Sequence, residues 1–333
     1  MAEALLEIRD LHVWYKVYGG MLKVLNGVNF TVGFGERVGL VGETGCGKTT
    51  TMKAVLRILP RPARIPQGEI LVHGRNVLQM NSQELADLRG HGLSMIFQDP
   101  TAALNPVFTI GQQLYEVIRY SAGSPAGRIK DKRAVALHAL QEARLPDAER
   151  MLASYPVQLS GGMRQRSCIA FAIATARDLL IADEPTTNLD VTIQDQVLRL
   201  IKELVTQKGT SMILITHSLG LAREVTDRVY VMYAGNMIEM AATPELFANP
   251  LHPYTQGLLA SVPRLTGGGF AEGIPGRIPD YKNPPAGCRF HPRCPRAFAP
   301  CREAMPPYFA SGDGHLVACY LYDNKRRRVP QNG

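Results

Sequence analysis

Eight residues, Gly42-Glu43-Thr44-Gly45-Cys46-Gly47-Lys48-Thr49, carry the most legible chemistry, because they follow the apolar run Arg37-Val38-Gly39-Leu40-Val41 directly. Glycines at these spacings let the backbone curl until successive N–H groups converge on phosphate oxygens. A helix opening behind them adds the positive end of its dipole. Lys48 supplies a point charge between terminal phosphates, the Thr49 hydroxyl is a ligand for Mg2+, and Thr50 stands beside it. The pattern therefore predicts a site for ATP or GTP. Further along, Asp183-Glu184 puts two carboxylates at the end of the apolar run Leu179-Leu180-Ile181-Ala182. Read alone, such a pair is no more than solvated acid at a strand end.

Elements of suitable type surround these groups. Leu11–Tyr15 and Val28–Val32 alternate as strands of a small antiparallel layer, separated by Gly19-Gly20. Thr49 to Leu59 has helical propensity and should stop at Pro60, after which Gly68–Val72 returns to a strand. Residues 99 to 178 are mostly helix-like, broken at Ser124-Pro125 and near Pro146. Two buried-type strands, Leu179–Ala182 and Met212–Ile215, bracket a segment with Ile193, Val197, Ile201, Leu204 and Val205 on one face. Strands alternating with helices predict an α/β fold around a largely parallel sheet.

The 333 residues suffice for one large domain and a smaller one. No run of eighteen apolar residues occurs, and Met1–Glu7 lacks the layout of a secretory signal, so a cytosolic location is expected. A formal charge of +8 suits anionic lipid, an acidic protein surface or nucleic acid without choosing among them. The one concentrated basic run, Lys325–Arg328, reads as a solvated tail. After about residue 245 the composition shifts: ten of the 23 prolines lie between Pro263 and Pro307, with Gly267–Gly269, so long regular elements are not expected there. Cys288, Cys294, Cys301 and Cys319 crowd into this region, and four clustered thiols in a reducing compartment suggest a metal before disulfides. Cys46, beside a helix N-terminus, is expected to have a lowered pKa and to be alkylatable without nucleotide. Cys168 reads as a small core residue.

Leu159-Ser160-Gly161-Gly162-Met163-Arg164-Gln165-Arg166 is again a glycine turn opening a helix. Together with the motifs above it resembles the signature of the ATP-binding-cassette family over residues 5 to about 245. The resemblance implies a phosphate-loop fold with a RecA-like core sheet, an N-terminal antiparallel layer and a helical subdomain at about 99–178. It implies that Ser160, Gly161 and Gly162 grip the γ-phosphate of ATP held by the opposite subunit. Asp183 would orient Mg2+ through its water shell together with Thr49 and Gln98, and Glu184 would polarise the attacking water. Gln98, in Phe97-Gln98-Asp99, resembles the family's metal and γ-phosphate sensor, and His217, after Leu214-Ile215-Thr216, the histidine that holds the water geometry. Asp190, in Thr187-Asn188-Leu189-Asp190, matches the loop crossing the dimer interface, and Tyr15 the aromatic platform for adenine, with Trp14 and Tyr18 as rivals. Thr187-Asn188 and Ser218 depart from the common pattern but remove no catalytic group.

His252-Pro253-Tyr254-Thr255-Gln256-Gly257-Leu258-Leu259, Ile274-Pro275-Gly276 and Asn283–Cys288 narrow the likeness. They resemble the ATPase subunits of dipeptide, oligopeptide and nickel importers. The resemblance implies a nucleotide-binding domain over 1–245 and an accessory domain over 246–333. It also implies two transmembrane permease subunits as partners, a second cassette subunit, identical or paralogous, a solute-binding protein acting indirectly, and residence on the cytoplasmic face of the membrane. No nucleic-acid partner is expected. In that subfamily the four cysteines hold a [4Fe–4S] cluster in some members. The spacing C-x5-C-x6-C-x17-C lacks the close pairs of structural zinc, which favours cluster ligation over zinc and leaves unligated thiols open. Two rivals remain: a DNA-repair or chromosome-organising cassette, whose long heptad insertions are not seen, and a cytosolic cassette of iron–sulfur assembly, which generally lacks such an extension.

Overall fold

The computed structural model describes residues 4–121, 131–175, 177–187, 189–261, 273–312 and 314–323. Ser124-Pro125, Asn188, Gly267–Gly269 and the basic run Lys325–Arg328 lie outside the described residues. In chain order the elements are β1 (Ala4–Val17), β2 (Gly20–Gly33), β3 (Arg37–Val41), α1 (Lys48–Val55), β4 (Ala63–Val72), β5 (Arg75–Asn76), α2 (Ser82–Asp87), β6 (Leu93–Ile96), α3 (Pro100–Ala103), α4 (Ile110–Ser121), α5 (Lys132–Glu142), α6 (Ala148–Ala153), α7 (Gly161–Ile173) and β7 (Leu179–Asp183). They continue with α8 (Val191–Lys208), β8 (Ser211–Thr216), α9 (Leu219–Val225), β9 (Arg228–Tyr233), β10 (Asn236–Ala242), α10 (Thr243–Ala248), α11 (Pro253–Ala260), α12 (Ala299–Glu303), β11 (Phe309–Ala310) and β12 (Leu316–Val317). Two compact units result, one of residues 6–31, 38–78 and 216–333, the other of residues 1–5, 32–37 and 79–215. No described helix is long and apolar enough to cross a membrane.

In the first unit, β1 and β2 run much longer than the alternating segments of the sequence suggest, and Gly19 and Gly20 make the turn between them at φ 75° and 154°. The sheet order is β2-β1-β4-β5, and antiparallel pairing sets Leu6 opposite Val72 and Ile8 opposite Ile70, all four buried. Period-two alternation thus places one apolar face inward. Helix α1 ends at Val55, well before Pro60. Arg57 turns the chain at φ 50°, and the N–H groups of Arg57 and Ile58 donate to the carbonyls of Ala54 and Lys53, a left-handed cap that needs no proline.

The same unit holds the strand series β11-β12-β10-β9-β3, in which β3 and β9 are parallel and the remaining pairs antiparallel. Its core joins Val41, Val229, Val231 and Tyr233 to Tyr254, Cys288, Phe290, Cys301 and Tyr320. The proline-rich C-terminal region therefore packs onto the strand core directly. Glu239, fully buried on β10, fixes that junction: its carboxylate accepts from the N–H of Leu251 and His252, at 2.7 and 2.9 Å, and pairs with His315 Nε2 at 2.8 Å.

In the second unit β6, β7 and β8 are parallel, with Leu93 opposite Leu179 and Leu179 opposite Ser211. β7 and β8 are buried along their whole length, as a strand covered on both faces must be. Helices α3 to α7 occupy most of the stretch read as helical. On α8 the expected stripe buries Val197, Ile201, Leu204 and Val205, and Gly209 closes the helix in the left-handed region at φ 64°.

Candidate nucleotide site

Residues 42–49 bend where the sequence places their glycines. A Cβ on Gly42, at φ 154°, would sit 2.2 Å from the Met232 carbonyl oxygen, and one on Gly47, at φ 113°, would sit 2.7 Å from Leu25 Cδ2. Gly47 opens α1, so the first N–H groups of that helix follow the loop at once. Thr44 and Gly45 form the exposed tip. Lys48 is buried, and its ammonium donates to the carbonyl oxygens of Gly42 and Glu43 at 2.7 and 3.1 Å. The cation is thereby held at the loop and not in bulk solvent. Thr49 and Thr50 stand half-buried on the first turn of α1.

The expected lowering of the Cys46 pKa is not found. Its side chain is fully buried, and loss of hydration pushes the thiol up, outweighing the nearby Lys48 charge. A helix N-terminus helps a thiolate only where the anion can also be solvated. Cys168 is buried as expected, with its thiol pushed up to about 12 by the same cause.

The second unit holds the acids. Asp183 closes β7 almost wholly buried. Glu184 follows at φ 44°, its N–H donating to the Ile215 carbonyl at 2.9 Å. One Glu184 carboxylate oxygen accepts from Gln98 Nε2 and from Thr187 Oγ1, each at 3.1 Å. The fold thus brings together Gln98 and Glu184, 86 positions apart, and holds the glutamate in an uncommon backbone region by hydrogen bonds at both ends. Ser160 caps α7, its Oγ accepting from the Met163 N–H at 3.3 Å. Gly161 is exposed, and a Cβ there would meet nothing within 4 Å. Asp190 takes the N-cap place of α8 without a side-chain capping bond.

Tyr15 is half-buried on β1, opposite Ala63, while Tyr18 is fully exposed and Trp14 lies under Lys23 Nζ, 5.6 Å from its ring centre. His217 is exposed just past β8. Tyr15, His217 and residues 42–50 belong to the first unit. Gln98, Ser160–Gly162, Asp183, Glu184 and Asp190 belong to the second.

Three residues absent from the sequence reading of the site hold its loop. The Glu43 N–H donates to the Tyr254 hydroxyl at 2.9 Å, the Tyr281 hydroxyl donates to the Gly45 carbonyl at 2.7 Å, and Arg293 grips the Glu43 carboxylate with both terminal nitrogens. So not every N–H of the loop is aimed at phosphate. The motifs around His252 and Cys294 contain two of these residues, but nothing in one dimension ties them to position 43.

Cys288, Cys301 and Cys319 are buried and Cys294 is half-buried. Their charges would disfavour one another, and burial pushes Cys288 up to about 12 and Cys319 to about 11. Among the described residues, no group of three or more His, Cys, Asp or Glu side chains is arranged to hold a metal ion. The arrangement of the described residues thus adds no support to the four-thiolate site expected from the cysteine spacing. Cys288 and Cys301 belong to the apolar core and Cys294 packs against it, an environment in which neutral sulfur is accommodated and free thiolate is costly.

A family profile described as ABC transporter matches residues 25–187, and one described as oligopeptide/dipeptide transporter, C-terminal region, matches residues 238–301. The chain is 45% identical over 324 residues to a probable peptide ABC transporter ATP-binding protein of Sinorhizobium fredii, covering 96% of this chain and 95% of that one. It is 43% identical to the dipeptide transport ATP-binding protein DppD of Bacillus subtilis, covering 99% and 98%. Among solved structures it is similar to the dimeric ATP-binding cassette MJ0796 in a post-hydrolysis state bound to ADP and Pi. That likeness has a TM-score of 0.64 and 25% identity, over 72% of this chain and 98% of that one. Loop, acid pair, signature turn and C-terminal region thus coincide in one chain, which belongs to the ATP-binding subunits of the dipeptide and oligopeptide ABC transporter family.

Proposed function

We propose that this protein is the ATP-hydrolysing subunit of an ABC importer whose cargo is a di- or oligopeptide. The observation that carries the reading is the glycine-shaped loop with its buried Lys48 in a chain that matches peptide-transporter ATP-binding proteins from end to end. Residues 42–50 hold the ATP phosphates and Tyr15 stacks on adenine. Thr49, Gln98 and Asp183 offer only oxygen ligands, the set that Mg2+ takes, and Mg2+ supplies charge neutralisation on the phosphates. Glu184 polarises the attacking water, oriented by Gln98 and Thr187, and His217 contacts the γ-phosphate.

Ser160, Gly161 and Gly162 serve the nucleotide of a second subunit. The open space at Gly161 supports this, because nothing in its own chain forbids a side chain there. Asp190, with no cap to make, is available to the same interface. Two such subunits close on ATP against two transmembrane permeases at the cytoplasmic face, and hydrolysis reopens them. Residues 1–245 form the nucleotide-binding part and 246–333 the accessory part. The DNA-repair and iron–sulfur-assembly readings are not favoured, since the relatives match in peptide transport and in the C-terminal region too. For a [4Fe–4S] cluster the support is the crowding of four cysteines alone, and iron and sulfide analysis of anaerobically purified protein decides it.

The test is ATP turnover by the reconstituted transporter with Glu184→Gln. Turnover should fall at least about 100-fold while ATP binding persists. Unchanged turnover would sink the assignment.

A further inference from the structure

We infer that Arg293 is a positioning residue for ATP, which it serves by neutralising and turning aside the one carboxylate built into the phosphate loop. The inference rests on the ATP reading above and assigns the C-terminal region a part in it. Glu43 is an unfavourable choice beside a polyphosphate, because an uncompensated carboxylate there repels the ligand through a poorly screened medium. The structure removes that charge from the cradle. Arg293 Nη1 donates to Glu43 Oε2 at 2.9 Å and Nη2 to Oε1 at 3.1 Å, a two-bond fork that fixes direction as well as charge.

All five guanidinium N–H groups are committed. Besides the fork, Nη1 reaches the Tyr233 hydroxyl at 3.3 Å, Nη2 the Ile274 carbonyl at 2.9 Å and Nε the Pro275 carbonyl at 2.9 Å. The Arg293 side chain is 6% exposed, so neither water nor salt readily substitutes for it. Tyr254 and Tyr281 complete the hold on the backbone, one accepting from the Glu43 N–H and the other donating to the Gly45 carbonyl. Their base is packed: the rings of Tyr233, Tyr254 and Phe290 meet tilted or edge-to-face, with centroids 4.7 to 5.4 Å apart, in the buried core. A loop whose glycines sit at φ 154°, 81° and 113° has many alternatives to lose, and these contacts select one before nucleotide arrives.

The test measures the Kd of a fluorescent ATP analogue and the KM and kcat of ATP turnover for Arg293→Met, Glu43→Gln and the double variant. Arg293→Met should raise Kd and KM about tenfold, the loss expected for one buried charge-assisted fork. Its kcat at saturating ATP should stay within about twofold. The double variant should regain most of the lost affinity, because it removes the stranded carboxylate, whereas a merely structural arginine would give no such rescue. Amide exchange of the peptide spanning Glu43–Cys46, measured without nucleotide, should quicken in Arg293→Met and in the Tyr254→Phe, Tyr281→Phe pair. Unchanged Kd in Arg293→Met, or failure of Glu43→Gln to restore it, overturns the inference while a wild type that still hydrolyses ATP leaves the function intact. A wild type without ATP binding overturns both.

Discussion

Single side chains show which of two opposed effects prevails at the loop. For Lys48, burial is tolerated because two carbonyls replace the lost water. For Cys46 the Lys48 ammonium, 3.9 Å from the sulfur, and nearby backbone N–H groups favour the thiolate, but desolvation dominates over them. Native protein without nucleotide should accordingly alkylate at Cys46 far more slowly than a free thiol at neutral pH, and the rate should rise only on unfolding. Peptide mass spectrometry after timed treatment with iodoacetamide measures this, and labelling of the folded chain at the rate of glutathione would contradict the burial. The charges at Asp183 and Glu184 were legible as types and spacing. The hydrogen bond from Gln98 to Glu184 was not, since it depends on how β6 and β7 lie side by side.

At the level of elements, caps explain where helices begin and link one of them to pH. His252 precedes α11, and its Nδ1 accepts from the Tyr254 N–H at 3.0 Å, which requires an unprotonated nitrogen. Burial lowers its pKa from 6.5 to about 4, against the opposing pull of Glu239. A folded pKa below the unfolded value means that the unfolded chain binds the extra proton first. Stability is then undiminished above pH 6.5 and falls as pH drops from 6.5 towards about 4. Urea midpoints of wild type and His252→Asn should converge across this window, because asparagine keeps a capping acceptor without a titrating ring. Equal loss of stability in both proteins between pH 7 and 5 would rule His252 out as the cause. Sequence propensity placed α1 correctly but ran it on to Leu59, because the left-handed turn at Arg57 carries no glycine to announce it.

For the whole molecule, the C-terminal quarter completes a core and holds a loop. Tyr254, Cys288, Phe290, Cys301 and Tyr320 share one apolar cluster with Val41, Val229, Val231 and Tyr233, so a boundary near residue 245 divides chain but not core. A fragment of residues 1–245 loses those contacts and the partners of buried Glu239, which is also left with three fewer donors. It should be recovered as aggregate, and any soluble fraction should bind ATP weakly. Size-exclusion chromatography with light scattering and an ATP-binding assay give the outcome. A monodisperse fragment with wild-type affinity would show that the cassette folds and positions its loop unaided.

Local chemistry was written in the sequence: glycine spacing, a lysine and threonine at a helix start, two acids closing an apolar strand, and a signature turn. These depend on backbone freedom and short-range periodicity, which a linear string records. The tertiary structure alone decided that Glu43 is held by a residue 250 positions away, that Cys46 is too dry to ionise readily, and that Cys288 and Cys301 sit in an apolar core. Each of these depends on distance and solvent exclusion, and packing sets both only after distant segments have met.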